Sequence, residues 1–406
     1  RTFALIFALT IASVTVCWGG PLEEANRLFE EKSYALALKK YDEILATSST
    51  QAIAREALCR KAECLIALHE NAAAERTLSE LEKSAEEDRW TAIAAWKLAF
   101  LAGQRGLSPE DTSQTLARLD RAERILSVAA PSLLTDLYRD VVRTIAPQVP
   151  WGNVEWRVRF LPYYDKLIAK LKDPNEIAEA HWAKAQFRRG LQEPDSERQW
   201  LDAMRMLVRE FPDTAVAPRA QAELARHVQA SGKLAAALAE WKRLLERWPQ
   251  SEEARQAREE IRAITLEYVS ITPRQFQVSP NERIELLLQA RNLHSVSVAL
   301  YRVSPKQLLE AGDPDNFNLS VFVSGTPVLR KEVQLPIGED YRPTTTSVVL
   351  QSEATERGER LPKGLYVVAA QGGNASAYHI FAVSELLLVT KPAGQRLDVW
   401  SVDATT

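Results

Sequence analysis

Apolar positions recur along this chain with two different periods, and the switch between them divides it. From Leu22 to about Arg262, apolar residues return every three or four positions with charges in the gaps, as on amphipathic helices. At Ile264 the period drops to two. Residues 266–271 (LEYVSI) alternate, and 283–289 (RIELLLQ), 295–303 (SVSVALYRV), 328–335 (VLRKEVQL), 345–350 (TTSVVL), 365–369 and 379–383 follow. About seven short strands over roughly 120 residues predict an antiparallel β-sandwich. Residues 304–317 (SPKQLLEAGDPDNF) interrupt it with a helical pattern.

The helical part repeats. Ala25, Leu28, Tyr34, Ala37, Tyr41 and Ile44 take the small and aromatic positions of a tetratricopeptide helix pair, and Ala62, Leu65, Asn71, Ala74, Leu78 and Leu81 follow in the same order. Ala225, Val228, Gly232, Leu234, Ala237, Trp241, Leu244 and Pro249 form the clearest copy. Glu210-Phe211-Pro212-Asp213 returns as Arg247-Trp248-Pro249-Gln250, and Met204 and Leu207 hold the register of Trp241 and Leu244. Small residues let paired helices approach, and such pairs bury their faces only by stacking into a solenoid. Glu240 reads as a solvent-facing position on the last of these helices.

The register fades in the middle. Residues 90–101, 112–127 and 132–145 read as helices, and Pro147-Gln148-Val149-Pro150-Trp151-Gly152 breaks the run. Residues 154–159 (VEWRVR) read as a short strand or a helix start. The chain therefore divides into residues 1–20, a signal peptide; 21–146 and 176–263, two tetratricopeptide-like blocks; 147–175, an irregular connection; and 264–384, a sandwich. Residues 385–406 would open a second sandwich, truncated here, which makes the chain the front piece of a longer protein. That last stretch should be frayed or laid along the edge of the preceding sheet.

The leader changes the picture of where the protein works. Thr2 to Trp18 carries no charge, and residues 3–16 form an apolar run of signal-peptide length, short of the roughly 20 residues of a membrane span. Gly19 suits a cleavage site. A membrane anchor and a lipid-modified Cys17 are the competing readings, although Val16 stands where a lipobox wants a small residue. Export to the periplasm or envelope of a bacterium is expected, with no membrane span after cleavage. Cys59 and Cys64, five positions apart on one helix, point about 140° apart around its axis, so two buried thiols are expected rather than a disulfide. A net charge of −3 offers no field for nucleic acid.

Catalytic constellations do not emerge. No phosphate-cradling GxxxxGK[ST] loop, no HExxH zinc helix and no GxSxG nucleophile turn occurs. His69, His181, His227, His294 and His379 are scattered over different elements and read as surface or capping residues. No catalytic, cofactor-binding or metal-binding residue is assigned, and no enzyme activity is expected. The charged helical faces read as solvated surface or as a peptide-holding groove, in which Arg188, Arg189 and Arg226 would meet an acidic tail.

The β region carries a resemblance. Ala290-Arg291-Asn292-Leu293 before Leu300-Tyr301-Arg302-Val303, then Leu361-Pro362-Lys363-Gly364-Leu365-Tyr366, then Phe381-Ala382-Val383-Ser384-Glu385-Leu386 and Leu397-Asp398-Val399-Trp400-Ser401-Val402-Asp403 are similar to motifs of bacterial α2-macroglobulin-like proteins, in the same order. The resemblance covers about the last 140 residues and implies an immunoglobulin-like, macroglobulin-type sandwich. It implies an endopeptidase inhibitor that traps proteases, many members using a Cys-x-Glu-Gln thioester, a motif this chain lacks. Target proteases would then be met by parts of the protein beyond this chain, and envelope proteins or peptides by the helical repeats. A tetratricopeptide scaffold for envelope assembly, with no protease-trapping role, is the alternative. A carbohydrate-binding sandwich is a third reading, and it would need exposed aromatics on one face.

Overall fold

In a computed structural model, the described residues are 20–47, 50–84, 86–150, 152–191, 193–273, 277–280, 283–310, 318–336, 341–350, 361–393 and 396–403. The expected signal peptide, with Cys17 and Gly19, lies outside them. The chain divides into two compact units after Ala217. The expected helical block 176–263 is thereby shared between them.

The first unit is helical. Its helices are α1 (Pro21–Glu30), α2 (Tyr34–Thr47), α3 (Gln51–Ala67), α4 (Asn71–Glu82), α5 (Arg89–Arg105), α6 (Pro109–Ala129), α7 (Leu134–Asp140), α8 (Val154–Lys170), α9 (Pro174–Arg189) and α10 (Ser196–Glu210). The second unit takes most of α11 (Val216–Ala230), then α12 (Leu234–Arg247) and α13 (Glu252–Thr265). Ala25, Ala37, Ala62, Ala74, Ala225 and Ala237 are all wholly buried. These are the positions where a larger side chain would push two helices apart.

The turns repeat as faithfully as the cores. Lys32, His69 and Gly232 each stand seven residues after a buried alanine, and each has left-handed φ, at 60°, 62° and 75°. The amide that follows reaches back five residues in each case: Ser33 N to Leu28 O over 2.9 Å, Glu70 N to Leu65 O over 2.8 Å, Lys233 N to Val228 O over 3.4 Å. This is a left-handed helix stop that satisfies otherwise unpaired carbonyls. The buried aromatics at matching repeat positions each use their polar handle on the preceding helix, though on different positions of it: Tyr41 Oη donates to Asn26 (2.7 Å) and Trp241 Nε1 to Gln229 (2.8 Å). Glu240 does not face open solvent, because it accepts from Gln221 and pairs with Arg243, both at 2.7 Å.

Residues 147–175 correct the expectation of an irregular connection. The break spans only Ala146 to Asn153, and α8 occupies most of the rest, so 154–159 is a helix start. Asn153 caps it by accepting from Trp156 N, and Phe160, Leu161, Tyr163, Tyr164 and Leu167 bury one face. Pro162 sits inside the helix with its ring exposed, so the missing donor leaves a carbonyl on the wet side.

Past α13 the second unit turns to strands: β1 (Tyr268–Pro273), β2 (Gln277–Val278), β3 (Ile284–Arg291), β4 (Ser295–Val303), β5 (Leu329–Gln334), β6 (Thr344–Leu350), β7 (Gly364–Gly372) and β8 (Ala375–Val383). One sheet has the order β1-β3-β6 and the other β2-β8-β7-β4-β5; β2 pairs parallel to β8 and the other ladders are antiparallel. Ile284, Leu286 and Leu288 of the first sheet share one core with Val296, Val298, Leu300, Tyr366, Val368 and Phe381 of the second. The outer face of β4 and β7 is covered as well, by Leu308 on the short helix α14 (Pro305–Glu310) and by Leu319, Phe322 and Val323. That cover explains why β4 stops alternating at Val298 and runs apolar through Tyr301. Residues 311–317 of the expected helical insertion lie outside the described residues.

Arg291 and Asn292, in the β3–β4 turn, close the end of α13. Arg291 donates to Ala263 O (3.0 Å), and Asn292 Nδ2 to Ile264 O (2.8 Å) and Leu266 O (3.0 Å). The final strands, β9 (Leu386–Ala393) and β10 (Arg396–Asp403), pair with one another in a separate two-stranded antiparallel sheet. They are neither frayed nor added to an existing sheet edge.

Candidate functional site

The helix pairs bring chosen residues into rows. Asn26 and Phe29 lie on α1, Glu56, Arg60 and Glu63 on α3, and Arg89, Lys97 and Phe100 on α5, at the three-, four- and eight-residue spacings of single helix faces. Asn26 Nδ2 donates to Glu56 (3.1 Å), whose other oxygen meets Arg89 (3.5 Å). One tier along, the Arg60 guanidinium lies 5.1 Å from the Phe29 ring and pairs with Glu63 at 3.0 Å. Lys97 reaches Asp140 (3.2 Å) with its ammonium 3.8 Å from the Trp96 ring. Asn26, Glu56, Arg60, Glu63 and Lys97 are half-buried, so they face solvent while their positions are fixed by neighbours.

Beneath one edge of this layer lies a buried lock. Arg55, 5% exposed, makes a two-pronged pair with Asp88 at 2.7 Å on each arm and also donates to Ser84 (2.6 Å) and Thr91 (2.5 Å). Asp88 caps α5 through the Trp90 and Thr91 amides. Burial is the largest influence on the Asp88 carboxyl and would raise it, but the Arg55 hydrogen bonds and charge together with the Thr91 amide and hydroxyl outweigh it and hold the group below its ordinary value.

Farther along the first unit, a cleft of about 400 Å³ opens between α7, α8 and α9. Arg139, Val142 and Arg143 form one wall, Leu167 and Leu171 the second, Glu176, Glu179, Ala180 and Ala183 the third. Each wall is a single helical stripe, and the small Ala180 and Ala183 leave the space. Residues Val141–Ile145 are π-helical. Gly103 of α5 packs against them so closely that a Cβ there would stand 3.0 Å from Ile145 Cα. The walls are held by Tyr138, which donates to Glu123 (2.7 Å), by Lys166 on the same Glu123 (2.7 Å), and by Tyr163, which donates to Asp120 (3.1 Å). Burial pushes the Tyr138 and Tyr163 phenols above their ordinary range.

Of the three arginines singled out in the sequence, two fall in the first unit and Arg226 in the second. Arg188 and Arg189 belong to α9, and Arg189 lies 3.9 Å over the Trp200 ring. Arg226 on α11 is committed to Glu223 and to Gln256 (2.7 Å). The five histidines are scattered, His181, His227 and His379 on α9, α11 and β8 and His69 and His294 in turns. His69 is the left-handed helix stop; His181 packs 5.8 Å from the Phe211 ring, and burial followed by Lys184 lowers its pKa; burial also lowers that of His379. Among the described residues no group of three His, Cys, Asp or Glu could hold a metal, and no helix is long and apolar enough to cross a membrane. Cys59 and Cys64 are buried and free. Neither the row on α1, α3 and α5 nor the cleft was marked by any motif; the stripe Arg139, Val142, Arg143 was the one available signal.

No family model matches the chain, and no curated protein matches it. Among solved structures, a native alpha-2-macroglobulin fragment from Escherichia coli spanning domains MG0-NIE-MG1 is similar over 34% of this chain and 46% of that one, at 15% identity and a TM-score of 0.25. This chain thus spans less than half of that fragment. The C-terminal part of a TPR repeat-containing protein from Cytophaga hutchinsonii matches over 58% of this chain and 98% of its own, at 14% identity and a TM-score of 0.32. A kinesin light chain with TPR-like repeats from Podosopora anserina matches over 46% and 92%, at 13% identity and a TM-score of 0.33.

Proposed function

We propose that the chain is a non-catalytic docking scaffold, whose helical repeats hold partner proteins or peptides and whose sheets form an immunoglobulin-like spacer. The observation that carries the reading is the half-exposed row Asn26, Glu56, Arg60, Glu63 and Lys97 on α1, α3 and α5, every second helix of the stack, already held by its neighbours. Side chains ordered before binding lose little freedom when a partner arrives. The immunoglobulin-like assignment rests on Tyr366, near the start of β7, whose hydroxyl donates to Pro362 O over 2.6 Å, the geometry of a tyrosine corner. Export to a bacterial envelope is proposed on the apolar run at residues 3–16. The test is a photo-cross-linking residue placed at Glu63 in the full chain in its native host. One discrete protein adduct is expected there and none at the exposed Ala239; equal labelling at both sites, or none, sinks the reading.

A second reading places this scaffold in an α2-macroglobulin-like endopeptidase inhibitor. It is favoured because the tyrosine-corner bond falls within Leu361–Tyr366, one of the resembling motifs. Sequencing the gene past Thr406 tests it. A downstream Cys-x-Glu-Gln segment supports the protease-trap reading, and an early stop codon leaves the envelope-assembly scaffold in its place.

A further inference from the structure

The cleft between α7, α8 and α9 has a rim of four charged residues, and three of them are taken. Arg139 pairs with Asp136 (2.8 Å) and faces Glu176 (3.5 Å), while Glu179 is engaged within the fold. Arg143 is exposed and has neither ion pair nor hydrogen bond among the described residues. The floor beside it is apolar: Val142, Leu167 and Ala180 are buried, and Leu171 and Ala183 half-buried. A volume of about 400 Å³ falls in the roughly 300–1,000 Å³ range of ligand pockets. Arg143 and Val142 also stand on a π-helical turn, a local geometry found often at functional sites.

Resting on the docking reading, we propose that this cleft takes a peptide carrying one large apolar side chain with a carboxylate beside it. The apolar group fills the space over Leu167 and Ala183, and the carboxylate meets the Arg143 guanidinium, whose planar donor fork suits two oxygens at once. A basic peptide would find its carboxylate partners already occupied.

Fluorescence polarisation on the full chain tests this with the labelled octapeptide Gly-Ser-Glu-Phe-Glu-Gly-Ser-Gly. Two controls replace Phe by Ala, or both Glu by Lys. The parent peptide should bind at least tenfold more tightly than either control. Arg143→Glu should weaken the parent at least tenfold and strengthen the Lys control, and Ala183→Phe should abolish parent binding by filling the cleft. Circular dichroism and melting confirm folding; should Ala183→Phe not fold, Arg143→Glu decides. Equal binding of the three peptides, no binding of the parent, or an unchanged parent affinity in Arg143→Glu overturns the proposal. Phenylacetate binding as tightly as the parent would overturn the peptide assignment. A Glu63 cross-link that persists while the titration fails removes the cleft and leaves the docking reading; a lost cross-link with a successful titration does the reverse.

Discussion

Tyr366, wholly buried in β7, donates its hydroxyl to the carbonyl of Pro362, four residues earlier, over 2.6 Å. The bond ties the chain entering the strand to the strand itself, at the point where Gly364 has a φ of 157° and Arg302 donates to Lys363 O (3.0 Å). Tyr366→Phe keeps the ring against Phe381 but leaves the carbonyl unpaired. Chemical denaturation should show a loss of about 1–2 kcal/mol, and an unchanged midpoint would remove the bond from the stability of the sheets.

Asp88 should make the first helices acid-sensitive. Its carboxyl titrates below the ordinary value when folded, so its stabilisation is fully present above about pH 4 and is lost as pH falls through the lower folded value. Asp88→Ala removes a helix cap and leaves the buried Arg55 guanidinium with Glu86 (3.3 Å) as its remaining carboxylate, at a cost of about 2–4 kcal/mol near neutral pH. The variant should melt with a flatter pH dependence in the acid range. A parallel pH profile would argue against the pair.

Lys32 and His69 hold a conformation that glycine adopts freely, as Gly232 does at the equivalent turn. His69→Gly should therefore stabilise the unit, by about 0.5–1 kcal/mol, against the usual direction for glycine. A loss measured by calorimetry would mean that the imidazole makes compensating contacts.

Ala237 sits wholly buried against Ala225's helix, while Ala236 beside it is exposed. Ala237→Leu should cost about 1–3 kcal/mol through overpacking, and Ala236→Leu no more than about 0.5 kcal/mol. Similar losses in urea melts would refute the repeat register.

Both cysteines should resist alkylation in the folded protein. Burial raises the Cys59 thiol well above its ordinary value and the Cys64 thiol to about 12, so neither supplies thiolate at pH 8. The same shift makes stability decline once pH passes about 8.5, where the unfolded chain releases protons that the folded chain keeps. Rapid iodoacetamide labelling without denaturant would contradict this burial.

What the sequence discloses follows from how local each constraint is. Ala25, Ala62, Ala225 and the aromatics after them mark the repeats because close helix packing tolerates few alternatives at those sites. Strand positions in β3 are equally plain, since Ile284, Leu286, Leu288 and Ala290 alternate toward one core. The left-handed turn was visible at Gly232 and concealed at Lys32 and His69, where an ordinary residue bears the strain. α8 was obscured by Pro147, Pro150 and Pro162, whose spacing resembles a loop although burial of Phe160 and Tyr164 sustains a helix. The cleft is written in three short stripes on three different helical segments, each unremarkable until α7, α8 and α9 converge.

The seal that Arg291 and Asn292 place on α13 has a mechanical side. The helix axis ends not in a slack linker but in hydrogen bonds to the turn joining β3 and β4. A pull along α13 is thus delivered to the two strands that belong to opposite sheets, one on each side of the shared core. Load arriving along that helix therefore enters both layers at one turn, where a slack linker would pass it to neither.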